Sequence, residues 1–212
     1  MIVSVGESLG QTSSIASGEW SNRLLASGFH LEKVESDPAV IYLLDSDSKL
    51  AYCNAAWDKF AGQNEGPELL RCKMMGYPVL DAVSDALRPF YKEKFSRVRE
   101  SGTPWEHDYE CSSLDLYRLF HMRVLPLQGA FLLIENSLRV ERFHHAEDRV
   151  AFMPDVMYED QDRLITVCAH CRRTQRAGNE MRWDWVPSYL VSRKARVSHG
   201  LCQNCRAFYF GI

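Results

Sequence analysis

The 212-residue sequence predicts an α+β fold: a five-stranded antiparallel sheet with helices on one face, followed by a small cysteine-bearing module. Three observations predict it. Two short apolar runs flank a polar turn early in the chain, three more strand-like runs come later, and helical stripes lie between them. The charge then changes sign: residues 163–212 hold nine Lys and Arg against Glu180 and Asp184, a balance of +7 that leaves −10 for residues 1–162. Finally, four of the seven cysteines fall in that basic stretch as two Cys-x-x-Cys pairs.

Taken in order, residues 1–17 are rich in Ser and Gly and read as a tail. Trp20, Leu24, Leu25, Leu31 and Val34 recur at helical spacing around Gly28, which predicts one or two short helices. Ala39–Leu44 is an apolar strand closed by Asp45-Ser46-Asp47-Ser48, and Lys49–Cys53 returns as its hairpin partner. Asn54 can cap a helix over 55–61 that stops at Gly62, and a second helical piece covers 68–75 before Gly76 and Pro78. Ser84–Glu100 is the long helix, with Leu87, Tyr91, Phe95 and Val98 on one stripe, Pro89 in its first turns and Gly102 beyond its end.

Three strands follow. Trp105–Cys111 alternates Trp105, His107, Tyr109 and Cys111 against Glu106, Asp108 and Glu110. Tyr117–Leu125 places Phe120, Met122 and Val124 together, and Gly129–Glu135 is almost continuously apolar. Ser137–Ala151 then has helical character. The resulting division is a tail and flanking helix over 1–36, a sheet domain over 37–136, a connecting helix and linker over 137–160, and the cysteine module over 161–212.

The order β-β-α-α-α-β-β-β over Ala39–Ile134 resembles the PAS fold. The resemblance rests on AVIYLLDSDSKLAYCNAAWDKFAG, on VRESGTPWEHDYEC and on YRLFHMRVLPLQGAFLLIEN. It implies a sensory domain folded around a small internal cavity whose occupancy is passed to flanking helices. A ligand cavity is expected to be lined by Phe95 on the long helix and by Tyr109, Phe120, Met122 and Leu132 on the sheet.

Photoactive flavin-binding PAS domains carry a cysteine in a motif resembling Gly-x-Asn-Cys-Arg-Phe-Leu-Gln. Cys72 lies in the matching region, but its context is Leu70-Arg71-Cys72-Lys73-Met74, without the flavin-contacting residues. Haem-binding PAS domains take a histidine from the long helix, which has none here, and His107 is the remaining candidate; His121 also lies on a strand. A small organic ligand or an empty core is the first reading.

Cys168-Ala-His-Cys171 and Cys202-Gln-Asn-Cys205, thirty residues apart, point four sulfurs at a common centre. That donor set completes the tetrahedral shell of a structural zinc ion, in the manner of a zinc ribbon, and leaves no open position for water. An iron–sulfur cluster is the alternative occupant. His170 and His199 read as hydrogen-bond donors to the thiolates or as exposed residues. Cys53, Cys72 and Cys111 read as small buried hydrophobes. The stretch from Cys168 to Cys205, with Trp183, Trp185, Tyr189-Leu190 and Ser198-His199-Gly200-Leu201, also looks like a C-terminal element of bacterial PAS and two-component signalling proteins.

No Gly-rich phosphate loop and no assembled triad is visible, so no catalytic residue is assigned. The first functional reading is a bacterial-type signalling protein that senses a ligand or redox state and acts on a protein partner. The second is a DNA- or RNA-binding regulator that uses the +7 module and the aromatics Trp183, Trp185 and Tyr189. A redox sensor holding an iron–sulfur cluster is the third. With no membrane-length apolar run and no signal-like N-terminus, a cytoplasmic location is expected. A homodimer through 137–151 or Trp20–Val34 is expected, as is independent folding of the two parts on separate cores.

Overall fold

The computed structural model describes residues 17–64, 66–144, 157–191 and 196–211. Helices α1 (Ser17–Ala26) and α2 (Leu31–Ser36) precede the hairpin β1 (Val40–Leu44) and β2 (Leu50–Cys53). Helices α3 (Ala55–Gln63), α4 (Arg71–Met74) and α5 (Arg88–Ser101) follow, then β3 (Trp105–Glu110), β4 (Leu116–Pro126) and β5 (Leu132–Phe143). The five strands form one antiparallel sheet in the order β2-β1-β5-β4-β3.

Pleating divides the sheet's apolar residues between two cores. Tyr42, Leu44, Leu132 and Ile134 face α3–α5 and meet the stripe Leu87, Tyr91, Phe95 and Val98. Ile41, Leu43 and Leu133 face the other way, where α1 and α2 bring Leu24 and Val34. The Trp20–Val34 segment therefore buries its apolar side on its own chain and leaves Leu25 and Leu31 exposed. Arg23 ties α1 down by donating to the carbonyl of Gln128 (3.0 Å) and lying over the Phe131 ring. Gly129 suits this approach: its φ is +71°, and a Cβ would stand 1.6 Å from Arg23 Nη1 and displace the guanidinium.

Asn54 caps α3 as its spacing predicts, its Oδ1 accepting from Trp57 N. The fully buried side chain also accepts from Ile41 N (3.1 Å) and donates to the carbonyls of Ala39 (2.9 Å) and Val34 (3.1 Å). One amide thus joins the hairpin, α2 and α3.

Three elements differ from expectation. The long helix begins at Arg88, with Pro89 in its first turn, where a missing N–H costs nothing. The piece over 68–75 splits into a 3₁₀ turn at Pro67–Leu69 and the four-residue α4, because Leu70 between them is extended. Ser137–Phe143 is strand, not helix: β4 is eleven residues long and offers partners Phe120↔Leu138 and Leu119↔Val140, and this pairing overrides the helical spacing. The rest of that predicted helix, 145–151, lies outside the described residues.

The C-terminal part comprises β6 (Leu164–Cys168), β7 (Thr174–Arg176), β8 (Asn179–Asp184), α6 (Ser188–Val191), β9 (Arg196–Gly200) and α7 (Gln203–Phe210). Its sheet runs β8-β7-β6-β9, with β6 and β9 parallel. A small core of Tyr158, Ile165, Val167, Val186 and Tyr189 lies on it. The expectation of separate cores is corrected here. Tyr209 of α7 and Ala169 are buried in the same cluster as Tyr91, Phe90 and Ile134 of the first sheet's domain.

Candidate metal centre and ligand cavity

Parallel pairing of β6 with β9 sets Cys168 opposite Gly200 and brings the two Cys-x-x-Cys segments side by side. After β6 the chain turns tightly. Cys168 N donates to Arg173 O (2.7 Å) and Arg172 N to Cys168 O (3.0 Å), a closure that puts Arg172 at φ 63°. In the second segment Cys202 is the N-cap residue of α7 and Cys205 lies in its first turn, where the helix dipole favours thiolates.

All four cysteines are buried, and their sulfurs lie within 4.8 Å of one another. Cys171 Sγ and Cys202 Sγ are 3.8 Å apart. A tetrahedral ion with metal–sulfur bonds of about 2.3 Å sets its ligands about 3.8 Å apart. Hydrogen bonds from neighbouring thiols bring Cys168 and Cys202 down to about 7, while competition from the other three sulfurs pushes Cys205 up. Four thiolates at this spacing need a cation to coexist, so the cluster fits a metal ion. Trp183 and Leu201 close over it.

His170 is neither exposed nor the thiolate donor expected. Its Nδ1 lies 2.6 Å from the Tyr209 hydroxyl, and burial depresses it to about 4. Burial also depresses His199, on β9. Of the three module aromatics, Trp185 and Tyr189 are buried, Trp185 against His144 and Tyr189 against Tyr158, which removes both from any base-stacking surface.

A cavity of about 330 Å³ lies between the sheet and α3–α5. Phe95, Tyr109, Phe120 and Met122 line it, as do Tyr42, Trp57, Phe60 and Tyr91. Leu132 is fully buried in the same core but is not part of the wall. Polar groups are few. The Tyr109 hydroxyl donates to Asn136 Oδ1 (2.9 Å), and Asn64, Ser112, Ser113 and Arg172 complete the lining. Desolvation raises Tyr42 and Tyr109 and pushes Tyr91 up to about 12, so all three phenols stay neutral.

His107 does not line this cavity, which removes it as a haem ligand there. Its ring stacks on Trp105 (5.3 Å, 16°) and meets Phe90, Phe208 and Tyr209. Burial lowers it to about 4. Cys72 is exposed on α4, outside the cavity, so it is neither a flavin-facing thiol nor the buried residue expected. Sequence reasoning placed Tyr91 on the right helical stripe without assigning it to the cavity. It missed Arg172, Asn136 and Tyr209 altogether, because only tertiary contacts bring them there.

The sequence matches no family profile and no curated protein. Among solved structures, it is similar to a domain of an HTR-like protein from Haloarcula marismortui, with 13% identity over 49% of this chain and 100% of that one, TM-score 0.38. The PAS domain of the RpfR quorum-sensing receptor from Cronobacter turicensis, in complex with C12:0, aligns with 50% of this chain and 99% of that one at 17% identity and TM-score 0.40. The PAS domain of BvgS from Bordetella pertussis aligns with 57% of this chain and 85% of that one at 18% identity and TM-score 0.41. With the strand order β2-β1-β5-β4-β3 and helices α3–α5 over one face, the chain carries a PAS-like fold joined to a four-cysteine cluster able to hold a metal.

Proposed function

We propose that this chain is a sensory protein. A small organic ligand fills the cavity, and the four-cysteine module, held by one structural zinc ion, passes the change to a protein partner. The observation that carries the reading is the position of Tyr91. Its side chain lines the cavity, and its hydroxyl lies 3.5 Å from that of Tyr209 on α7. Tyr209 in turn touches Phe90 (5.0 Å between ring centroids) and His170, which stands between Cys168 and Cys171. Tyr91, Tyr209 and His170 thus form a contact path from the cavity to the cysteine centre.

The spacing of the sulfurs supports one ion. A cluster of two or four irons spreads its cysteine sulfurs farther apart than a single tetrahedral ion does. Four protein sulfurs also close the shell, which supports a structural and not a catalytic role. Among the described residues no helix is long and apolar enough to cross a membrane.

The test is hydrogen exchange on the full chain with indole as a neutral apolar probe. Saturating indole should slow exchange of the amides at 203–210, since a ligand biases only states it binds differently. Tyr209→Leu should keep indole binding and lose that slowing. Exchange at 203–210 indifferent to bound indole would refute the coupling, and metal analysis showing iron with sulfide would refute zinc.

A further inference from the structure

The cavity wall is mostly apolar, yet one end is built differently. There the chain leaving β3 supplies Cys111, Ser112 and Ser113, and the cysteine module supplies Arg172. Arg172 directly follows Cys171, and the turn that holds it at φ 63° is the one that aims Cys168 and Cys171 at the centre. The half-buried carboxyl of Glu110 lies beside this end; it accepts from Ser112 Oγ (2.7 Å) and feels the positive charge of nearby arginines, Arg172 among them. Among the residues lining the cavity Arg172 is the one ionised side chain, and a guanidinium at the end of an otherwise neutral, mostly apolar chamber favours an anion.

We propose that the cavity takes an anionic amphiphile, an apolar chain or ring bearing a carboxylate, and that Arg172 receives the carboxylate. This rests on the reading that the cavity holds a small organic ligand. It makes the ligand site bipartite: the sheet domain provides the apolar body, and the metal knuckle provides the residue that recognises the head. Ligand and metal are then coupled, because the arginine is placed only when the knuckle is formed.

Octanoate and 1-octanol, with the same chain length and different heads, separate the two layers. Their affinities are measured by calorimetry on the full metal-loaded chain, in the wild type, Arg172→Gln and Arg172→Lys. A charge-assisted hydrogen bond should make octanoate bind about ten-fold or more tighter than octanol. Arg172→Gln should abolish that preference, bringing octanoate down to the affinity of octanol, and Arg172→Lys should restore part of it. Metal content is measured alongside; should Arg172→Gln shed its metal, the wild-type preference decides alone. Equal affinity for the two probes in the wild type would overturn the role of Arg172 and leave the ligand reading standing. Binding of neither would count against both.

Discussion

Around the first sheet, two thick layers of aromatic and aliphatic side chains bury both faces, with Leu43, Leu44, Leu132 and Ile134 fully excluded from water. Around the second sheet, among the described residues, the apolar core is the small cluster Tyr158, Ile165, Val167, Val186 and Tyr189, and the four cysteines form a second one. The first region can fold on hydrophobic burial. The second falls in the size range where burial alone seldom suffices, and it draws on two other sources. One is the cysteine centre, and the other is the first region itself, against which α7 buries Tyr209. A module whose last helix is buried in its neighbour's core is tied to the stability of that core, which a self-sufficient domain would not be.

Removing the sulfur centre tests this contrast most severely. Structural zinc in small modules is worth about 10–16 kcal/mol near neutral pH. Cys202→Ser should lose the metal and melt the strands of 157–211. It should also lower the stability of the sheet domain by roughly 1.5–3 kcal/mol, the worth of burying one large side chain. Metal content and two-probe thermal melting would show both effects. A sheet domain that melts unchanged would mean the shared core contributes nothing.

Tyr209 tests the borrowed core directly. Truncation of a buried aromatic to alanine costs about 3–5 kcal/mol. Tyr209→Ala should shift the denaturation midpoint accordingly, whereas Tyr209→Phe gives up only the hydroxyl contacts to His170 and Tyr91, about 1 kcal/mol. A Tyr209→Ala cost near zero would place α7 outside the cooperative unit.

The contrast also explains what could be read from the chain. The edge strand Trp105–Glu110 announces itself by alternation, because Trp105, His107 and Tyr109 are half-buried while Glu106 and Asp108 are exposed. The cysteine spacing was legible because metal chemistry fixes it locally. The strands Thr174–Arg176 and Asn179–Asp184 were not, since both are short and polar, the second largely exposed, with no apolar period to detect. The Ser137–Phe143 strand was misread because its identity comes from a long partner and not from its own pattern. Arg172 at the cavity and Tyr209 in the first core reflect docking of one region on the other, which no local period encodes.

The junction should respond to acid. Burial holds His107 at about 4, below the ordinary imidazole value of about 6.5. Unfolded chains therefore bind a proton that the folded state refuses between those values, so this contribution is full above pH 6.5 and declines as pH falls towards 4. Asp108 favours the charged ring, while Lys94 and His121 oppose it. The ring is partly exposed, so the loss is on the order of 2 kcal/mol at most. Acid also protonates thiolates, so the measurement is the difference in stability between wild type and His107→Phe across pH 4–7. That difference should vary with pH, and a flat one would show the ring to be free of the junction.

The smallest effect expected separates the cysteines themselves. Cys72 is exposed on α4 and lines neither the cavity nor the metal centre, whereas Cys53 is buried, and burial raises its thiol. Cys72→Ser should change stability by less than about 0.5 kcal/mol, as surface substitutions usually do. It should leave metal content unaltered. Iodoacetamide on the native chain should label Cys72 first, because reactivity needs both access and thiolate. Cys53 has neither, and the four module cysteines are shielded by burial and, in the metal-loaded chain, by the ion. Chelation should then expose Cys168, Cys171, Cys202 and Cys205 to labelling together, with Cys53 still protected. Simultaneous release of Cys53 would show that losing the metal opens the first core as well, and that the two regions are one folding unit.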